Sequence, residues 1–175
     1  MVMTIAPATT DDLPEIADIY HHYVLSSAHT FDLEPKPATW WREWYSQFEE
    51  RGRHRLFVAH EDAELRGYAL SEPYRPRPAY DPCVTTSVYV SDDHTGRGIG
   101  SALYRHLISA IAGEDVHRAC AAIAMPNPAS VRLHERHGFR QVGYFSEQGR
   151  KFGRYWDVAW FELSVQERSL ELTES

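Results

Sequence analysis

The sequence predicts a mixed α/β fold, a sheet with helices over both faces, and three observations carry that expectation. The elements follow the order strand, two helices, hairpin, long strand, helix, strand, helix, two strands. The stretch from Ser87 to His106 reads as a strand, a glycine turn and a helix, with Val88, Tyr89 and Val90 before the turn and Leu103, Leu107, Ala110 and Ile111 on a helical stripe after it. At 175 residues and 43% hydrophobic, the chain can bury one substantial core and has little room for a second. Residues 1–164 are expected to form a single domain and 165–175 a polar C-terminal tail.

The elements follow from local pattern. Val2 to Ile5 is a short β-forming run, and Thr9-Thr10-Asp11-Asp12 has capping-box spacing for a first helix with Leu13, Ile16, Ala17, Tyr20, Tyr23 and Val24 on one face. His21 and His22 are adjacent, so they point in different directions and read as solvated rather than metal-binding. Pro37 starts a second helix carrying Trp40, Trp41, Trp44 and Phe48, with Gly52 as its stop; this aromatic load reads as core or as a dimer contact. Leu56–Ala59 and Leu65–Leu70 form a hairpin, and Pro73 to Pro82 is a stiff loop holding Arg75 and Arg77. Val116 to Ala124 is a buried strand. Asn127 caps a helix with Pro128 at its first position and Gly138 at its end, and Val142–Phe145 and Trp156–Phe161 pair around a turn between Gly149 and Arg154.

The strand-to-helix junction is an anion site. Gly96, Gly98 and Gly100 permit positive φ and close approach, and the first turn of the helix offers N–H groups without partners. A Walker loop is excluded because no lysine follows the glycines, and Gly-x-Gly-x-Gly is not the dinucleotide fingerprint. The net charge of −7 argues against nucleic acid or an anionic membrane as partner. The start of the chain does not read as a signal peptide and its longest apolar run is too short to span a bilayer, so a cytoplasmic protein acting on small molecules is expected. Cys83 and Cys120 lack metal-ligand spacing and read as reduced thiols; no metal is expected.

With Thr95 where arginine or glutamine is usual, the run ending in Gly98-Ile99-Gly100 resembles the acetyl-CoA loop of the GCN5-related N-acetyltransferases (GNAT), and Asn127 to Phe139 resembles their second signature. Within that superfamily the chain is most similar to the phosphinothricin and methionine sulfoximine acetyltransferases. The landmarks are Thr30-Phe31-x-x-Glu34-Pro35, Ala79-Tyr80-Asp81, Ser87-Val88-Tyr89-Val90, Leu133-His134-Glu135 and Gly149-x-Lys151-Phe152-Gly153-Arg154-x-x-Asp157-Val158. The resemblance implies a mostly antiparallel sheet of about seven strands splayed at the acetyl-CoA site, a homodimer, and an N-acetyltransferase of a small amino-acid-like amine.

It also implies roles. Acetyl-CoA would lie along Val88, Tyr89 and Val90, with its pyrophosphate at Thr95, Gly96, Arg97, Gly98, Ile99, Gly100 and Ser101, and with Asn127, Ser130 and His134 on the other side. The Val90 N–H would receive the thioester carbonyl oxygen, and His134 would protonate the departing thiolate. The competing reading of His134 is a ring bonded to the helix backbone, and His137 reads as a favourable charge at the helix C-terminus. Phe31, Glu34, Arg75 and Tyr80 would form the acceptor pocket, Arg75 pairing with a carboxylate.

One position departs from the pattern. Two residues before Ser87, where a glutamate base is expected, stands Thr85. A positioned base is worth about 10²–10⁴ in rate, so another group or a water serves, turnover is slow, or the substrate differs. Glu34 and Glu72 are the carboxylates to examine, Glu72 reading mainly as a solvated strand-end charge. Two other functions fit: transfer to a peptide N-terminus or polyamine, and a catalytically weak acyl-CoA sensor.

Overall fold

Runs of β-branched, aromatic and alanine residues build seven strands of one sheet in the computed structural model of the chain, which describes residues 3–166. They are β1 (Met3–Pro7), β2 (Leu56–Glu61), β3 (Glu64–Pro73), β4 (Cys83–Val90), β5 (Arg118–Met125), β6 (Arg140–Lys151) and β7 (Arg154–Ser164), in the spatial order β1-β2-β3-β4-β5-β7-β6. Every neighbouring pair is antiparallel except β4 and β5. The helices are α1 (Leu13–Ser26), α2 (Ala38–Tyr45), α3 (Ile99–Ala112) and α4 (Pro128–Arg136).

Each face of the sheet has its own core. Leu103, Leu107 and Ile111 of α3 pack on Phe57, Val84, Ala119 and Phe161. On the opposite face Leu13 and Ile16 of α1 and Trp41 of α2 pack on Val58, Tyr68 and Leu70. Leu107 and Ile111 are fully buried, and each such side chain contributes about 1.5–3 kcal/mol. The expected fold, a mostly antiparallel seven-stranded sheet with helices on both faces, is the one observed.

Local expectations hold where one short segment decides them. Thr9 N donates to Asp12 Oδ2 at 2.7 Å, closing the box ahead of α1, and Ser130 N donates to Asn127 Oδ1 at 3.1 Å at the start of α4. They fail where the rest of the molecule decides. The second helix ends at Tyr45, not near Gly52: bonds from Gln47 N to Trp44 O and from Phe48 N to Tyr45 O turn the chain towards β2, and Phe48 sits beyond the helix against Trp44. His22 is exposed as expected, but His21 is half-buried, its Nε2 accepting from Lys36 N at 3.2 Å. Gly100 does not take positive φ as Gly96 (+76°) and Gly98 (+87°) do; it is helical, and its smallness keeps the α3 backbone close to Val90. The last two strands run longer than expected and turn at Phe152-Gly153. Val165, placed in the tail, is fully buried and its N donates to His117 O at 3.2 Å, so the folded body includes it; the tail from residue 167 lies outside the described residues.

Candidate active site

The parallel pairing of β4 with β5 covers only Cys83, Val84 and Thr85 opposite Arg118, Ala119 and Cys120. Beyond Thr85 the strands diverge and open a cleft of about 520 Å³. The ladder on the other edge of β4 fixes what faces this cleft. Tyr74 N donates to Cys83 O and Ser91 N donates to Arg66 O, so the odd-numbered residues of β4 carry the bonds to β3. By antiparallel alternation Val88 and Val90 hold their N–H and C=O groups towards the cleft. The Val90 carbonyl is taken by the Tyr23 hydroxyl at 2.6 Å, leaving the Val90 N–H as a donor at the splayed end.

At the cleft mouth, Gly98 caps α3 in the left-handed conformation, and a Cβ built on Gly96 or Gly98 meets nothing within 4 Å. This is an open cradle of backbone donors at a helix N-terminus, the donor set a pyrophosphate requires. Every residue predicted for the cofactor lines the cleft except Arg97. Its guanidinium instead pairs with Glu61 of β2 at 3.1 Å, because the hairpin end lies beside the turn and supplies a partner. Arg132 and Arg136 of α4 line the cleft and supply positive charge there.

Sequence reasoning also missed Tyr23, His29 and the β5 residues Ala121 to Ala124. The run of alanines was the available signal, since a strand that must leave room cannot carry larger side chains.

His134 lines the cleft but has no proton to offer a thiolate. Its Nδ1 lies 2.7 Å from the Ser130 carbonyl oxygen, to which it donates, so its Nε2, 2.9 Å from the Tyr104 hydroxyl, accepts. The Tyr104 oxygen in turn lies 2.6 Å from Thr86 Oγ1. Burial pushes the His134 pKa below the ordinary value, so the ring is neutral at pH 7. The expected general-acid role therefore gives way to the backbone-bonded reading: the chain Thr86, Tyr104, His134 clamps α4 to α3 and β4. His137 likewise is buried and bonded to Ser101 Oγ at 2.9 Å rather than serving only as a charge at the helix end.

A second cavity, about 270 Å³, opens on the α1 and α2 side of the sheet. Its polar lining comes from Tyr20, Asp32, Lys36, Glu72 and Ser87, its apolar lining largely from Trp40, Trp41 and Trp44. Ser87 and Tyr89 line both cavities, so the two meet across β4. The four residues predicted for the acceptor pocket do not gather here. Phe31 packs against Gly149, Glu34 is exposed, Arg75 stacks on Tyr74 at 5.1 Å, and Tyr80 packs edge-on against the same ring at 5.7 Å. None lines either cavity, because the proline-rich loop carries Arg75 and Tyr80 outward. Glu72, read as a solvated charge, is instead half-buried in the second cavity and accepts from Trp44 Nε1 at 2.7 Å and Gln47 Nε2 at 3.2 Å. Thr85 is its partner across the β3–β4 ladder and lines neither cavity. Among the described residues no group of histidine, cysteine and carboxylate side chains could hold a metal ion.

Residues 5–160 match the family model described as an acetyltransferase (GNAT) domain. The chain is 52% identical over 160 residues to a phosphinothricin N-acetyltransferase of Streptomyces coelicolor, covering 90% of this chain and 94% of the relative. It is 32% identical to an L-methionine sulfoximine/L-methionine sulfone acetyltransferase of Pseudomonas aeruginosa, covering 94% and 96%. The crystal structure of a GNAT superfamily phosphinothricin acetyltransferase from Sinorhizobium meliloti in complex with AcCoA superposes with a TM-score of 0.90 at 30% identity, covering 95% of this chain and 90% of that one.

Proposed function

Because the chain belongs to the GNAT acetyltransferase family, we propose that it moves the acetyl group of acetyl-CoA to the primary amine of a small amino-acid-like acceptor of the phosphinothricin or methionine sulfoximine type. The observation that carries this reading is the meeting of two cavities at Ser87 and Tyr89, one with a cradle for a pyrophosphate and the other with charged groups of both signs. Acetyl-CoA supplies the activated acetyl group in the first. The turn from Gly96 to Ser101 and the N-terminus of α3 hold its phosphates, Arg132 and Arg136 add charge, and the Val90 N–H polarises the thioester carbonyl.

The second cavity receives the amine. Asp32 and Glu72 suit an ammonium, and Lys36 suits the acid group of a zwitterion, whereas a polyamine has no use for a cation in its site. The tryptophans exclude water around the reacting nitrogen. The enzyme acts in the cytoplasm and as a homodimer in this reading. Among the described residues no helix is long and apolar enough to cross a membrane, and edge strand β6, with Val142, Tyr144 and Phe145 half-exposed, has an open edge for a second copy.

The test is thiol release from acetyl-CoA with phosphinothricin, methionine sulfoximine, spermidine and a short peptide offered separately. Turnover with the first two is expected. Turnover with only spermidine or the peptide would overturn the acceptor assignment.

A further inference from the structure

We infer that Glu72 is the general base of the transfer, taking a proton from the acceptor's ammonium group from strand β3, across the ladder from Thr85. The inference rests on the acetyl-transfer reading above and deepens it.

Position comes first. Glu72 and Thr85 are Cα partners in the antiparallel β3–β4 ladder, so their side chains leave the same face of the sheet with Cβ atoms about 5 Å apart. A glutamate at 72 therefore reaches the space beside Thr85, and it lines a cavity whose wall also includes Ser87 and Tyr89, the residues shared with the cofactor cleft.

Availability comes second. Two carboxylates line this cavity. Asp32 is held by the Tyr20 hydroxyl at 2.9 Å and by Lys36 at 3.2 Å. Glu72 receives both of its hydrogen bonds on Oε1, from the Trp44 indole and the Gln47 amide, so its orientation is fixed while Oε2 has no donor among the described residues. An oriented carboxylate with one unshared oxygen beside an amine site is the arrangement proton abstraction needs, directly or through one water.

The electrostatics agree. Burial raises the proton affinity of Glu72 above the ordinary carboxylate value, against the lowering effect of the Trp44 and Gln47 hydrogen bonds. Facing it are Tyr20 from α1, Asp32 and Lys36 from the loop before α2, Tyr68 from its own strand and Tyr89 from β4. Burial pushes all three phenols upward, so they keep their protons at neutral pH, and Asp32 and Lys36 offset each other in charge.

In the step itself Glu72 accepts one proton from the ammonium, which frees the nitrogen lone pair. The N–C bond forms to the thioester carbon and the C–S bond breaks with its electron pair on sulfur. The second proton leaves nitrogen and ends on that sulfur, giving the amide and the CoA thiol, and Glu72 later releases its proton to water.

The test is the pH dependence of kcat/KM for methionine sulfoximine in wild type, Glu72→Gln and the double variant Glu72→Gln/Thr85→Glu, with acetyl-CoA affinity and melting temperature measured on each. Glutamine can still accept from Trp44, so the fold and cofactor affinity should persist. With Glu72 as base the wild-type profile is flat from the carboxylate's pKa to that of the amine and falls at lower pH. Without it only the free amine reacts, so the Glu72→Gln profile climbs tenfold per pH unit. The expected loss is roughly 10²–10⁴-fold near pH 7, shrinking as pH rises, and the double variant should recover the flat profile. A Glu72→Gln enzyme with the wild-type profile overturns the assignment, as does one in which only the acceptor KM rises. If Glu72→Gln does not fold, Glu72→Asp decides: a kcat well below wild type with the acceptor KM and acetyl-CoA affinity little changed supports the base, and a wild-type kcat with only a raised acceptor KM overturns it. A wild type that binds acetyl-CoA but acetylates no amine of the panel overturns the acetyl-transfer reading, and this assignment with it.

Discussion

Replacing Tyr104 with phenylalanine removes one oxygen from the buried chain that joins β4, α3 and α4. The ring's packing stays: it lies stacked on Phe139 at 5.6 Å and edge-on to His134 at 5.0 Å and His137 at 5.7 Å, all of which phenylalanine preserves. What goes is the donor to His134 Nε2 at 2.9 Å and the partner of Thr86 Oγ1 at 2.6 Å. Thr86 keeps the Cys120 carbonyl at 3.4 Å, but His134 Nε2 is left buried without a partner. An unsatisfied buried acceptor costs about 1–3 kcal/mol. For a chain of 175 residues, about 2–4 °C per kcal/mol translates this into a melting temperature lower by roughly 2–12 °C. Urea denaturation followed by circular dichroism measures the stability, and thiol release measures kcat well below the melting range. Because His134 is a clamp and not an acid, kcat should stay within about threefold of wild type, less than the roughly 10²-fold a lost proton donor costs. A Tyr104→Phe protein of wild-type stability with kcat down a hundredfold would refute this reasoning and make the Tyr104–His134 pair a proton relay.

Gly98→Ala should weaken acetyl-CoA binding about 10–100-fold, the value of one or two hydrogen bonds to a charged group, and lower stability by about 1–2 kcal/mol from its φ of +87°. Gly153→Ala, at φ +73° in the β6–β7 turn, is the control: similar loss of stability and unchanged affinity by calorimetry. Stability should also fall as pH drops below about 6.5, where the unfolded state takes up protons that the folded state refuses. His134 has its folded pKa pushed down by burial, as do His29, His54 and His106, so the loss begins at the unfolded value and continues down through the folded ones. Denaturation midpoints between pH 7.5 and 5 should show this slope, and His134→Gln should flatten it.

What could be read in the sequence was whatever a short stretch decides by itself. The glycine turn ahead of Ile99, the cap at Asn127 and the box from Thr9 to Asp12 are local, and all three sit where expected. The second cavity was not legible because its members come from distant segments. Asp32 and Lys36 precede α2, Trp44 is on it, Glu72 is on β3 and Ser87 on β4, and only the ladder register sets Glu72 opposite Thr85. Arg97 shows the same thing: within its turn it reads as a phosphate ligand, while in space its guanidinium meets Glu61 at the end of the β2–β3 hairpin. Lys151, in the sequence only one landmark of the resemblance, is buried and donates to the Thr30 carbonyl at 2.8 Å, fixing the loop that holds Asp32.

The central claim is that thioester and amine are held side by side across Ser87 and Tyr89. It is tested most directly by interligand nuclear Overhauser effects on wild-type enzyme saturated with methionine sulfoximine and an acetyl-CoA analogue whose thioester sulfur is replaced by methylene. Simultaneous binding is predicted, with cross-peaks from the acetyl methyl group to the α-proton of the acceptor, and these should vanish when Trp44→Ala opens the second cavity. Mutually exclusive binding, or joint binding with no such cross-peak, would contradict the account.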